Sequence, residues 1–373
     1  MKLLVCAIQF KGGSLQVVLS LINEFRKFPE HEYHVIVSEN VRSQLNLQDF
    51  PDNFFFYSFP YTGAINITKA YKRAKWLQDT EARIKPDCAL TTSGPIYWRS
   101  KAPMLMGYNL PANIYLDSPF FKMMPATKRM KWWLKKVIQR HFFKREADTF
   151  FVQTEDVNQR LRKYLNRENI YTISNTYSNV FKNITIFDNK LPDKSKDEIR
   201  LLTVSTYYPH KNFEIIKPVI SELQKRGIRN IKFVLTIQPE FYKKIFGEEY
   251  TEEVINIGPV KSIECPSLYR ECDIMFLPSL LECFSASYAE AMIMHKPILT
   301  TDMGFAHTVC GDAALYFEPV NPADIVNKLE LLISNKELAN KLIENGERQL
   351  GQFGTAEDRA RQILAICEKL ICK

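Results

Sequence analysis

Pro278-Ser-Leu-Leu-Glu282-Cys-Phe-Ser-Ala-Ser-Tyr-Ala-Glu290-Ala-Met292 sets two carboxylates eight residues apart, immediately after an apolar run from Asp273 to Leu277. The run reads as a buried strand, Glu282 falls in the short loop after it, and Glu290 falls in the helix expected over Ser287–Met294. A strand, a tight loop and a helix start make a ready anion site, because the first backbone N–H groups of a helix have no intrahelical partners. A carboxylate on each side of that site can hold hydroxyls. Phosphate plus hydroxyls is the chemical outline of a nucleotide-sugar.

Working outward, short apolar strands alternate with helical patterns along the whole chain, which predicts parallel sheets joined by crossover helices. In the first half the strands are expected at Lys2–Ile8, Tyr33–Val37, Cys88–Thr92, Met104–Tyr108, Thr149–Gln153 and Tyr171–Ile173. The second series runs through Leu201–Ser205, helix Asn212–Arg226, Ile231–Ile237, Val254–Ile257, Ile274–Leu277, the Ser287–Met294 helix and Ile298–Thr300. Helices over Pro322–Ser334, Lys336–Gln349 and Ala356–Ile371 close it. The polar stretch 183–199, with Pro192, reads as a linker. The 373 residues therefore predict an α/β chain of two Rossmann-like parallel-sheet domains, 1–182 and 200–355, with a cleft between them. Ligands bind beyond the carboxyl ends of strands in such sheets, and the distinctive loops do follow strands: Gly12-Gly13, Tyr207–Lys211, Pro278–Ser285 and Asp302–Gly304.

No stretch approaches the roughly 18–20 apolar residues of a membrane span, and the apolar start Lys2–Ile8 is too short for a secretory signal. With eight scattered cysteines and no Cys-x-x-Cys, reduced thiols and a cytoplasmic location are expected. The Asn-x-Thr sequons at Asn66 and Asn183 should then be silent. The six histidines form no ligand cluster and there is no Asp-x-Asp, so no metal is expected in the site. No cofactor is expected either, the sugar nucleotide being a substrate.

The net charge of +8 is uneven. Lys122 to Arg145 carries nine Lys or Arg and no Asp or Glu; subtracting them leaves −1 for the rest. Within that stretch Met130, Trp133, Leu134, Val137 and Ile138 follow helical spacing. One reading is an amphipathic helix packed on its own domain. A second is a helix lying on an anionic membrane surface at the inner face of the cell membrane, with Lys131, Trp132, Trp133, Lys135, Lys136 and Arg140 as the contact residues. No recognition motif supports nucleic acid.

The string from the Ile274–Leu277 strand through Glu282, Phe284, Glu290-Ala291 and Lys296-Pro297 resembles the signature of the family 4 retaining glycosyltransferases (glycosyl transferases group 1), which have the GT-B fold. Their usual form is Glu-Gly-Phe, five residues, Glu-Ala and a later Gly-x-Pro; here Cys283 replaces the first Gly and His295 the later one. Cys283 is tolerable unless the loop needs positive φ, and His295 should matter only to packing. The resemblance implies that Glu282 holds the donor sugar's hydroxyls and Glu290 the ribose. Backbone N–H groups around Phe284, Ser285, Ala286 and Ser287 would bind the diphosphate. It also implies that the last helix crosses back to the first domain. In Ser205-Thr-Tyr-Tyr-Pro-His-Lys211, Lys211 matches a family Lys that clamps the diphosphate, and Thr206 stands where an Arg is usual. Gly12-Gly13 before Ser14 reads as a tight turn with Ser14 as helix cap, or by resemblance as a loop approaching the donor.

On the acceptor side Asn109 stands where relatives have a His, and Asp117 is a weaker candidate. The implied reaction is transfer of a hexose from a UDP- or GDP-sugar to a saccharide or lipid-linked saccharide hydroxyl with retention, as in surface polysaccharide or glycolipid assembly. Glu282 and Lys211 would act by positioning and charge stabilisation. Two rivals stand beside it: a sugar-nucleotide epimerase or phosphorylase-type enzyme on the same fold, and a non-catalytic nucleotide-sugar-binding scaffold.

Overall fold

The computed structural model describes residues 1–8, 13–61, 67–247, 250 and 252–372. Its strands are β1 Lys2–Ala7, β2 Glu32–Val37, β3 Phe54–Ser58, β4 Cys88–Thr91, β5 Met104–Gly107, β6 Thr149–Val152, β7 Ile170–Thr172, β8 Ile199–Thr203, β9 Ile231–Leu235, β10 Val254–Asn256, β11 Ile274–Leu277, β12 Ile298–Thr301 and β13 Ala314–Phe317. They form a seven-stranded sheet, β3-β2-β1-β4-β5-β6-β7, and a six-stranded one, β10-β9-β8-β11-β12-β13. Every pairing is parallel. Strands buried on both faces need apolar side chains on both, and β1, β4 and β11 are continuous buried runs. The order reverses direction between β1 and β4 and between β8 and β11, the two switch points where such sheets open to ligands.

Two strands escaped the sequence reading, β3 and β13. Both are edges of four or five residues. What orders them is pairing, Tyr33 to Phe54 onward for β3 and Ile298 to Ala314 onward for β13, rather than a pattern of their own.

The chain divides into two compact units. The first holds Met1–Tyr115, Met124–Asn175 and Thr355–Lys373; the second holds Leu116–Met123 and Thr176–Gly354. The final helix, Ala356–Ile371, thus belongs to the first unit, where Ala360, Ile363, Leu364 and Cys367 join Val5, Leu19, Ile22 and Leu90 in one core. The core of the second unit gathers Phe213, Val219, Phe233, Phe276, Leu299 and Ile325 around its sheet. The polar stretch 183–199 lies in the second unit and is tied to it. The Leu191 and Lys190 N–H groups donate to Glu271, and Lys194 pairs with Asp273 at 2.6 Å.

The basic segment forms two helices, Phe120–Met123 and Ala126–Glu146, separated by Pro125. Its apolar stripe does not pack on the protein. Gln139, Phe143 and Glu146 are the buried positions of the long helix, and the stripe is exposed. The helix does pack on its own unit, as the first reading expects, but through its other face, so the stripe is left outside.

Candidate active site

The ends of β8 and β11 present the two loops at the second switch point. After β8 the chain runs through Thr206 to a short turn, Pro209–Lys211, which Asn212 closes in the left-handed conformation at φ 57°. Asn is among the few residues that adopt this shape readily. The turn delivers the Lys211 ammonium to the Glu282 carboxylate in the loop after β11, at 2.5 Å, with both side chains largely buried. Burying such a pair costs desolvation of both ions, which their mutual attraction offsets only while both are present.

Three bonds hold the Glu282 loop. The Leu280 N–H donates to the His210 carbonyl at 2.8 Å, which joins the two loops directly. The Ser118 hydroxyl donates to the Leu280 carbonyl at 2.7 Å, and the Thr301 hydroxyl to the Ser279 carbonyl at 2.7 Å. The His210 ring lies flat on Tyr208 and edge-on to Phe120, with centroids 5.5 and 6.2 Å apart. Burial, more than the neighbouring ions, lowers its pKa and favours the neutral ring.

The helix Ala286–Ile293 follows. Its cap position, Ser285, makes no side-chain hydrogen bond to the first turn, where the Tyr288 N–H donates to the Ser285 carbonyl at 3.2 Å and the Ala286 and Ser287 N–H groups are the ones suited to an anion. The Ser287 hydroxyl donates to the Val204 carbonyl at 3.3 Å, fastening the helix start to the β8 loop. Glu290 is half-buried and accepts from the Tyr269 hydroxyl at 3.3 Å. Burial pushes its carboxyl up to about 7, against the pull of that hydrogen bond. Phe284 turns edge-on to Phe353, centroids 5.9 Å apart.

Lys211, Glu282, Thr206, Phe284, Ser285, Ala286, Ser287 and Glu290 thus all lie in the second unit, on the two loops and the helix at its switch point. Gly12 lies outside the described residues. Gly13 opens the helix Gly13–Glu24, so Ser14 is a first-turn residue rather than its cap. Asn109 lies two residues past the end of β5 in the first unit, where its side-chain oxygen accepts from the Ser93 hydroxyl at 2.8 Å. Asp117 is exposed and belongs to the second unit. Cys283 is buried and has no positive φ, so that departure from the family pattern costs no backbone strain. His295 is different: its φ is +52°, so the Gly it replaces answers to backbone conformation and not to packing. Sequence reasoning missed Ser118, Phe120 and Tyr269. Nothing local marks Ser118, which lies 162 residues from its partner.

Residues 185–349 match the family model Glycosyl transferases group 1. The match lies wholly within the second unit and includes Lys211, Glu282 and Glu290. An uncharacterised glycosyltransferase of Methanocaldococcus jannaschii is 29% identical over 157 residues, which span 41% of this chain and 43% of that protein. Among solved structures, sucrose-phosphate synthase of Thermosynechococcus elongatus superposes with a TM-score of 0.78 over 100% of this chain and 99% of that one, at 13% identity. HepE of Anabaena, solved with UDP and glucose, superposes at 0.71 over 98% and 99%, at 14% identity. These structures share the fold: two Rossmann-like parallel-sheet units, as in the GT-B glycosyltransferases.

Proposed function

We propose that the chain is a retaining, metal-independent hexosyltransferase using a UDP- or GDP-sugar, with a saccharide or lipid-linked saccharide as acceptor, in surface polysaccharide or glycolipid assembly. The observation that carries this reading is the buried Lys211–Glu282 pair beside the open helix start and Glu290, inside the group 1 match. Phosphate oxygens of the donor sit at the Ala286–Ile293 helix start, where N–H groups and Lys211 stabilise the charge that builds on the departing diphosphate. Glu290 takes the ribose hydroxyls and Glu282 those of the sugar. Lys211 leaves Glu282 for phosphate as the donor enters, which frees the carboxylate for the sugar. No side chain is needed as a nucleophile: the departing phosphate oxygen takes the acceptor's proton, and the protein supplies position and charge. Among the described residues no three His, Cys, Asp or Glu side chains are grouped to hold an ion.

Thermal shift with UDP, GDP and their sugars, on the wild type and Glu290→Ala, tests the donor site. Saturation at 100 times the dissociation constant adds about 2.7 kcal/mol of stability. A shift with one nucleotide, lost in the variant and followed by sugar transfer in an acceptor screen, is expected. Thr206 in place of a second cation favours one other reading, a binding protein without turnover. A nucleotide shift with no transfer across a broad acceptor panel would establish that one instead.

A further inference from the structure

The helix Ala126–Glu146 has 21 residues and spans about 30 Å. Its inner face is well anchored. Gln139 accepts from the Asn113 amide at 3.1 Å, Glu146 accepts from the Ile96 N–H at 2.8 Å, and Phe143 packs on Tyr108 with centroids 5.0 Å apart. At about 100° per residue, Met130, Trp133, Leu134, Val137 and Ile138 fall on the side opposite Gln139. They are exposed by between 46% (Ile138) and 68% (Met130). Lys131 and Lys135 border this stripe along one edge and Arg129 and Arg140 along the other, while Lys144 and Arg145 follow it at its C-terminal end. The helix has one acidic residue, Glu146, and it is buried on the inner face.

The six basic-segment residues singled out from the sequence divide accordingly. Lys131, Trp133 and Lys135 are exposed. Trp132 and Lys136 are half-buried, the Lys136 ammonium standing 5.5 Å from the Trp132 ring and 5.4 Å from Tyr164. Arg140 donates to the Tyr164 carbonyl at 2.6 Å.

We propose that this helix is a docking surface for an anionic phospholipid bilayer. It lies flat on the membrane with Met130, Trp133, Leu134, Val137 and Ile138 among the acyl chain ends, and its flanking Lys and Arg side chains reach up to the lipid phosphates. Five large apolar side chains in one unbroken stripe are too many to leave in water without a partner. The charge selects which partner. A second copy docking through the same face would set one cationic border against another. A nucleic acid would answer the charge but bury none of the stripe. An anionic bilayer satisfies both at once. This inference does not depend on the donor reading, since a vesicle measurement needs no nucleotide.

The test is flotation of the full-length protein with phosphatidylglycerol–phosphatidylcholine vesicles and with phosphatidylcholine alone. The variants are Trp133→Ser/Leu134→Ser and Lys131→Glu/Lys135→Glu, all at exposed positions, with circular dichroism to check that each keeps the fold. Binding to anionic vesicles only is expected, weakening with salt, and each double variant should partition at least about tenfold more weakly. No flotation overturns the proposal, and so does flotation that both variants retain. Equal binding to neutral vesicles, or a dimer in solution that Trp133→Ser/Leu134→Ser dissociates, overturns it in favour of a purely apolar or self-associating face.

Discussion

Glu290 keeps its proton in the folded protein where an ordinary carboxyl has lost it. Burial raises it from 4.5 to about 7, and the Tyr269 hydroxyl only partly opposes the rise. Between those two values the native state therefore binds more protons than the unfolded chain, and stability falls as pH rises. The penalty is complete above about 7 and relieved below 4.5. Its size is about 1–3 kcal/mol, the lower end allowing for the residue's partial exposure. Glu290→Gln removes the titration. Thermal denaturation at pH 5 and pH 8 should show a larger loss of stability in the wild type than in the variant, both keeping the loss due to buried Glu146, whose carboxyl burial pushes up to about 8; equal slopes would mean that burial does not raise Glu290. A donor whose ribose hydroxyls meet this carboxylate favours its charged form, so nucleotide binding should release a proton near pH 6.

At the scale of elements, the geometry of the candidate site rests on how the loop after β11 is held. The Leu280 peptide is bonded on both sides, by the His210 carbonyl and the Ser118 hydroxyl. Ser118 belongs to the eight-residue excursion Leu116–Met123, which adds to the second unit while the chain on either side belongs to the first. Ser118→Ala leaves the buried Leu280 carbonyl without that donor and should cost about 1–3 kcal/mol. Because Glu282 follows two residues later, donor affinity should fall about tenfold as well, a loss of about 1.4 kcal/mol. Ser118→Thr, which keeps a hydroxyl, should restore much of both. Isothermal titration with the donor nucleotide separates the two roles. Reduced stability with unchanged affinity would make Ser118 structural only.

At the scale of the molecule, the last helix completes the core of the unit that the chain began. Leu364 is buried against β-strand residues and the Gly13–Glu24 helix, and the buried Arg359 guanidinium donates to the Ser20 hydroxyl at 3.1 Å and to Asn175. Burial lowers the Arg359 pKa to about 10, with Glu24 opposing. Leu364→Ala opens a cavity there and should lower stability by about 2–5 kcal/mol in urea titration. A change within about 0.5 kcal/mol, the range of surface substitutions, would mean that the helix is not part of that core.

Eleven of the strands, the basic helix, the helices of the second series and of the chain's end, and the pair of carboxylates could be read directly from the chain; the helices Ile67–Ile84 and Glu155–Leu165 were not. Each rests on residues within a dozen positions of one another: an apolar run, a turn, a helical period. The same local logic placed Lys211 and Glu282 on strand-end loops 71 residues apart, but only the parallel pairing of β8 with β11 brought them into contact. Tertiary structure alone decided the rest. It ordered the edge strands β3 and β13 through their neighbours. It put His295 in a left-handed turn, and it brought Ser118 to a loop 162 residues away. It also turned the basic helix so that its apolar stripe faces out. Periodicity shows that a helix has two faces; which face is buried depends on distant partners, here Asn113, Ile96 and Tyr108, that no local pattern encodes.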